Sequence, residues 1–140
     1  KNGTPRQGNL CPSATAKLKV QFGTNPHHSV QGLASFSHVW LLFLFHHNTR
    51  GSSPKSKVYP PRLKGSPTGL FATRTPHRPN PLGLTLCRLD SVNGSTLLLS
   101  GVDLISGTPI LDVKPYIPYS DGPRPGDDVR YPEWTDQTQR

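Results

Sequence analysis

Long apolar runs are missing from this 140-residue chain. The longest, Val39-Trp40-Leu41-Leu42-Phe43-Leu44-Phe45, is far too short to cross a bilayer as a helix. No apolar segment near the start reads as a secretory signal, so an intracellular, cytoplasmic location without membrane contact is expected. Methionine is absent and the first residue is Lys1, which leads us to expect a processed chain or an excised domain. Cysteine is scarce: Cys11 and Cys87 alone make neither a zinc site nor a multi-bridge framework. A reduced compartment is the simplest reading, with a single Cys11–Cys87 disulfide left open. Acidic residues are few, 8 Asp+Glu against 16 Lys+Arg, and they are sparse across the first hundred positions. Helix signals are also poor, because 16 prolines interrupt the chain, each removing a donor and restricting its predecessor.

What is present is basic and strand-like. A net charge of +8 attracts phosphate polyanions at long range, although the same excess also serves solubility. Lys17–Phe22 alternates polar and apolar residues as a half-buried strand does. His38–His46 is apolar on both faces and reads as a central strand covered on both sides. Leu84–Leu89 and Thr96–Ser100 flank Asn93-Gly94, a strong two-residue hairpin signal because both positions favour positive φ. Ser106-Gly107 marks a further turn and Thr108–Tyr116 a further strand. One short helix is expected after Ser29, where Val30, Leu33 and Phe36 recur at threes until Gly32 limits it to a turn or two. The expected fold is all-β: a small single-sheet β-barrel with at most one short helix. From about residue 120 the composition turns polar and aperiodic, so residues 120–140 read as an irregular or disordered tail.

Two stretches could carry chemistry. Thr73–Leu84 holds three prolines within six residues, a loop that loses little entropy on binding and displays Arg74, His77, Arg78 and Asn80. Arginine forks match carboxylate or phosphate, although the same arginines could simply pair with Asp90 or Asp103. By the period-two rule, Ile110, Asp112, Lys114 and Tyr116 share one strand face. From spacing alone, Asp112 and Lys114 are better read as a structural ion pair than as a pocket wall. His46 and His47 point to opposite faces of a regular strand and cannot chelate one metal together, so no metal site is expected. Gly-rich phosphate loops, nucleophile elbows, HExxH and CxxC are all absent, and the proline density leaves no room for the helices of a Rossmann fold.

Four ordered blocks then carry a resemblance: Gly3-Thr4-Pro5-Arg6-Gln7, Phe36-Ser37-His38-Val39-Trp40, GLFATRTPHRPNPLGL (69–84) and GVDLISGTPILDVKPYIPY (101–119). Together they are similar to the TsaA-like (TrmO) family, most of all to its animal members, over residues 3–119. The resemblance implies a β-barrel methyltransferase domain over residues 1–119 that acts as a homodimer with S-adenosylmethionine as donor. It implies methylation of the exocyclic N(6) of threonylcarbamoyl-adenosine, next to the anticodon of threonine tRNA. It implies a cofactor site at Pro5, Arg6, Gln7, His46, His47, Arg74, Leu84, Ser106, Gly107, Thr108 and Pro109. Asp112, Lys114 and Tyr116 fall in the family's D-[IV]-K-P-Y block as catalytic candidates, and Arg62, Arg78 and Arg88 are candidates for tRNA phosphates. Two departures stand out. The family opens with a strand before its Gly-Thr-Pro-Arg-Gln block, which is expected to be missing here since the sequence starts at Lys1, and Ser106 stands where bacterial members often carry Asp. The competing reading is a truncated or degenerate basic β-module that binds tRNA without catalysis. A generic single-strand binder would spread aromatics along a groove, whereas Trp40, Phe43 and Phe45 cluster in the expected core.

Overall fold

Residues 13–46 and 55–136 are described by the computed structural model. Five antiparallel strands make the main sheet: β1 (Thr15–Lys19), β2 (His38–Leu44), β5 (Leu82–Asn93), β6 (Thr96–Ser100) and β7 (Ile110–Pro115). Their order is β1-β6-β5-β2-β7, and a separate two-stranded arm pairs β3 (Lys57–Val58) with β4 (Thr68–Gly69). Among the described residues the one α-helical turn, α1, spans Pro118–Asp121. No helix among the described residues is long and apolar enough to cross a membrane. The molecule is mostly β, as the sequence pattern indicates.

A hairpin forms here but one residue later than expected: Asn93 pairs with Thr96 as the last residue of β5, the two-residue loop is Gly94-Ser95, and Gly94, at φ 60°, takes positive φ while Asn93 does not. The first strand is shifted from its expected span. β1 ends at Lys19, opposite Thr96, because its partner β6 begins there and offers no ladder to later residues. Val20 N–H still reaches Ser95 O at 2.8 Å, but Phe22 lies beyond the sheet and is exposed. The expected helix after Ser29 is instead two 3-10 turns, Pro26–Val30 and Leu33–Ser35. Gly32 separates them at φ 85°, a conformation that breaks helical continuation.

The core lies on one face of the sheet. Val39, Leu41, Leu97, Leu99 and Cys87 are almost wholly buried there, and each aliphatic side chain so removed from water stabilises by about 1.5–3 kcal/mol. Val30, Leu33, Val102 and Leu104 close this face from the loops. Cys87 is a free thiol, and burial pushes its pKa from 9.0 to about 11. Gly83 is the tightest point: a Cβ there would lie 2.2 Å from Phe43 Cζ.

The expectation that β2 is covered on both sides needs correction. β2 is central, but its residues alternate buried and half-buried, and only the Val39–Leu41–Phe43 face is closed. A second correction concerns β7. Leu42 pairs with Asp112 but Phe43 pairs with Ile110, so Leu111 is the extra residue of a β-bulge. The bulge resets the alternation. Ile110 and Val113 therefore pack with the core, while Asp112 and Lys114 face the opposite side, and Ile110 does not share their face.

Candidate functional site

The face opposite the core is built from cross-strand rows. Leu84, Leu42 and Asp112 stand side by side on β5, β2 and β7, and the next row is Leu86, Trp40 and Lys114. Directly paired antiparallel residues point the same way, so these side chains share a surface, with Leu84 and Asp112 two strand spacings or about 10 Å apart. Leu82 and Leu84 remain 40% and 55% exposed, so the face is apolar and uncovered within one chain. At one end the Tyr116 ring lies 6.2 Å from both His38 and Trp40. Asp121 Oδ2 closes that end, accepting from Trp40 Nε1 at 3.0 Å and from Ile117 N–H at 2.8 Å.

At the other end the cofactor candidates gather. Leu44 N–H donates to Pro109 O at 3.0 Å, and Phe45 N–H donates to Pro81 O at 2.8 Å. These bonds bring the approach to His46, the start of β5 at Leu82–Leu84, and the Ser106–Pro109 turn to one edge of the sheet. Gly107 sits at φ 85° with nothing within 4 Å of where a Cβ would be. Thr108 donates its N–H to Ile105 O at 3.1 Å, and its hydroxyl also bonds that carbonyl, which fixes the turn. The exposed turn backbone, the half-buried His46 imidazole and the leucine surface together suit a nucleoside with an apolar flank. Among the described residues no three His, Cys, Asp or Glu groups gather as metal ligands.

Asp112 and Lys114 form an ion pair at 3.1 Å on the outer face, and Asp112 Oδ1 accepts from Val113 N–H at 2.9 Å. The Lys114 ammonium first, and that amide in addition, hold the Asp112 carboxyl below its ordinary pKa of 3.8. Asp112 is therefore a stable carboxylate and a poor proton acceptor at neutral pH.

The arginines divide by what holds them. Arg78 Nη1 donates to Thr73 O at 3.0 Å and to Thr75 O at 3.1 Å, and its guanidinium sits 5.8 Å from the Phe71 ring centre. It braces the proline-rich loop from within. Arg88 pairs with Asp90 at 3.6 Å, and Arg62 donates to Asp136 O, tying the C-terminal segment to the Pro61–Leu63 turn. Arg74 stands exposed in the loop that Arg78 braces and is in no ion pair among the described residues. Asp103 pairs with no arginine among the described residues. Its Oδ1 is buried without a hydrogen-bond partner among the described residues.

Of the sequence candidates, His46, Leu84, Ser106, Gly107, Thr108 and Pro109 are brought to one edge, and Asp112, Lys114 and Tyr116 share its outer face. Pro5, Arg6, Gln7 and His47 lie outside the described residues, as does Cys11. Leu42 and Asp121 were not singled out by sequence reasoning, and Trp40, expected in the core, stands half-buried on the opposite face, paired with Lys114 and bonded to Asp121. A signal for the leucine face was available, since Leu82, Leu84 and Leu86 occupy one parity of β5 while Gly83, Thr85 and Cys87 occupy the other.

A tRNA (adenine(37)-N6)-methyltransferase from Homo sapiens is 54% identical over 126 residues, covering 89% of this chain and 28% of its own length. A Pseudomonas aeruginosa protein whose name includes S-adenosylmethionine-dependent methyltransferase RcsF is 48% identical over 118 residues, 84% of this chain and 49% of that one. A crystal structure of TrmO from Pseudomonas aeruginosa superposes with a TM-score of 0.70 at 39% identity, covering 93% of this chain and 52% of that chain. The chain thus spans about half, or less, of the proteins it matches. The family model for the tRNA-methyltransferase O N-terminal domain matches residues 1–122, and the chain belongs to that family.

Proposed function

We propose that this chain carries the S-adenosylmethionine-dependent methyltransferase domain of a tRNA-modifying enzyme. The substrate is the exocyclic N(6) of threonylcarbamoyl-adenosine beside the anticodon of threonine tRNA, modified in the cytoplasm. The observation that carries this reading is the row Leu84–Leu42–Asp112, which sets cofactor and substrate candidates on one face. Family membership and the relatives' names support the donor and the acceptor.

In this reading Arg74 binds the donor's carboxylate as a fork, the Ser106–Pro109 main chain holds its adenosine, and Leu84 supplies apolar contact. Pro5, Arg6, Gln7, His46 and His47 complete the site. When bound, the donor supplies a methyl group on a sulfonium, whose positive charge is neutralised as the methyl leaves. The carbamoyl group withdraws electrons from N(6) and makes its proton more acidic than that of an ordinary adenine amine. Lys114, paired with Asp112, stabilises the negative charge that develops there, and Tyr116 shares its face. Because Asp112 is a weak base, the N(6) proton displaced by the incoming methyl passes to solvent water, and the rate rests mainly on holding donor and nitrogen at near-attack distance.

The uncovered leucine face supports a homodimer in which a second copy covers Leu82 and Leu84. The register shifts at Leu42/Phe43 and Leu89/Ser91 sharpen local twist and support closure of the sheet toward a barrel. Residues 1–119 form the catalytic domain and 120–140 its tail. Calorimetric titration with S-adenosylmethionine tests the site: the wild-type chain binds and Arg74→Ala does not, with an unchanged circular dichroism spectrum. Equal binding by the variant would place the carboxylate elsewhere.

A further inference from the structure

The proline-rich loop carries a feature that the methyl-transfer site does not use. Leu70 and Phe71 are adjacent in the 3-10 turn Leu70–Ala72, yet Leu70 is 5% exposed and Phe71 79% exposed. The turn is pinned from both sides. Leu70 N–H donates to Ser56 O at 2.9 Å, Thr73 Oγ1 donates to Leu70 O at 2.7 Å, and Arg78 ties down the carbonyls of Thr73 and Thr75. The phenyl ring is therefore presented to solvent on a rigid base, with a guanidinium fixed over it. Arg74 and His77 flank it in the same loop, both exposed. No Asp or Glu occurs anywhere before Asp90, so nothing acidic in this part of the chain opposes a polyanion.

An exposed aromatic ring backed by a cation and surrounded by basic groups suits one ligand chemistry above others. A duplex hides its base faces, and a positive surface alone would hold duplex and single strand alike. A free ring adds affinity only for bases that are unstacked, because every base has a π-face to offer it. The second exposed ring of the arm, Tyr59, lies among Lys55, Lys57, Arg62 and Lys64, extending the same basic, aromatic character.

We infer that Phe71 is a stacking platform for an unpaired RNA base adjoining the one that is modified, with His77 available to a flanking phosphate and Arg74 left to the donor. The inference rests on the proposed function for the identity of the RNA, and its geometry is independent of the methyl-transfer chemistry. It also assigns Arg78 a new role: a positioning residue that holds the platform, rather than a phosphate ligand.

The test compares wild type, Phe71→Ala and Phe71→Trp by fluorescence anisotropy. The probes are a hairpin RNA with an unpaired loop and a continuous duplex of the same stem. Phe71→Ala is expected to weaken hairpin binding about tenfold and leave duplex binding unchanged, because one base–aromatic stack is lost. Phe71→Trp retains or improves hairpin binding. The melting temperature stays constant, since the ring is exposed. Equal hairpin affinity in Phe71→Ala, or equal losses on hairpin and duplex, would overturn the inference. So would a loss of S-adenosylmethionine affinity, which would move the ring into the cofactor site, or a change in sedimentation, which would make it a contact between copies. If wild type binds the hairpin through Phe71 but never binds the methyl donor, the platform stands and the proposed function falls. If wild type methylates tRNA and Phe71→Ala binds the hairpin equally well, the reverse holds.

Discussion

Gly83 offers the sharpest quantitative test of the packing that shapes the site. It faces Phe43 directly across the β2–β5 ladder, and the Phe43 ring occupies the space a side chain would take. In Gly83→Ala the new Cβ would lie 2.2, 2.4 and 2.8 Å from three atoms of that ring. The ring cannot simply turn aside, because it is 7% exposed and packs edge-on against Phe45 at 5.0 Å. Overpacking typically costs about 1–3 kcal/mol, and a clash of three ring atoms belongs at the upper end. For a domain of this size, about 3 kcal/mol lowers the melting temperature by roughly 10 °C. Phe43→Leu removes the clashing atoms, at its own cost of about 1–2 kcal/mol for the volume lost. The double variant is then expected to be more stable than the sum of the single changes by at least about 1 kcal/mol. Thermal melts of the four proteins, followed by circular dichroism, measure this coupling. A Gly83→Ala protein that melts within about 2 °C of wild type, or additive effects in the double variant, would refute the contact.

Other expectations follow from the same geometry. Leu97→Ala, at a side chain that is wholly buried, should destabilise by about 2–5 kcal/mol in urea melts, and a smaller loss would mean the core is looser than described. Lys114→Ala should raise the Asp112 carboxyl toward its ordinary 3.8, because its largest stabilising partner is gone, and an unmoved NMR titration would deny the ion pair. With the pair intact, its stabilisation is present above the ordinary carboxylate range and fades as pH falls through the lowered pKa. The same variant should impair methyl transfer more than donor affinity, and equal losses would place Lys114 on the donor side. In a Cys11→Ser background, Cys87 should resist iodoacetamide at pH 8 while the chain is folded and react on unfolding. Rapid native labelling would contradict its burial. Its raised pKa means stability is full below pH 9 and falls toward pH 11, as the unfolded thiol ionises first.

The sheet was legible in the sequence wherever the signal was local. Gly94 marks its hairpin through its freedom at positive φ, although the loop is Gly94-Ser95 rather than Asn93-Gly94, and β2 announces itself by apolar content. What depended on pairing was not legible. The end of β1 at Lys19 is set by where β6 starts, and the Leu111 bulge exists only as a mismatch between β7 and β2. That bulge is why Ile110 could not be assigned to the correct face from alternation. The proline-rich loop was recognised as rigid and arginine-bearing, but which arginine braces it and which is displayed depends on the carbonyls of Thr73 and Thr75. Nothing in the spacing of Arg74 and Arg78 distinguishes them. Similarly, Asp121 looked like part of an aperiodic tail, yet it accepts from Trp40 across eighty-one residues of sequence.

The measurement that bears most directly on function is methyl transfer from labelled S-adenosylmethionine into two preparations of threonine tRNA, with and without the threonylcarbamoyl group on the adenosine beside the anticodon. Label is expected only in the carbamoylated tRNA, at N(6), and should be lost with Arg74→Ala. Label in both tRNAs, or in neither while the folded chain binds the donor, would contradict the reading of this domain as a methyltransferase for threonylcarbamoyl-adenosine.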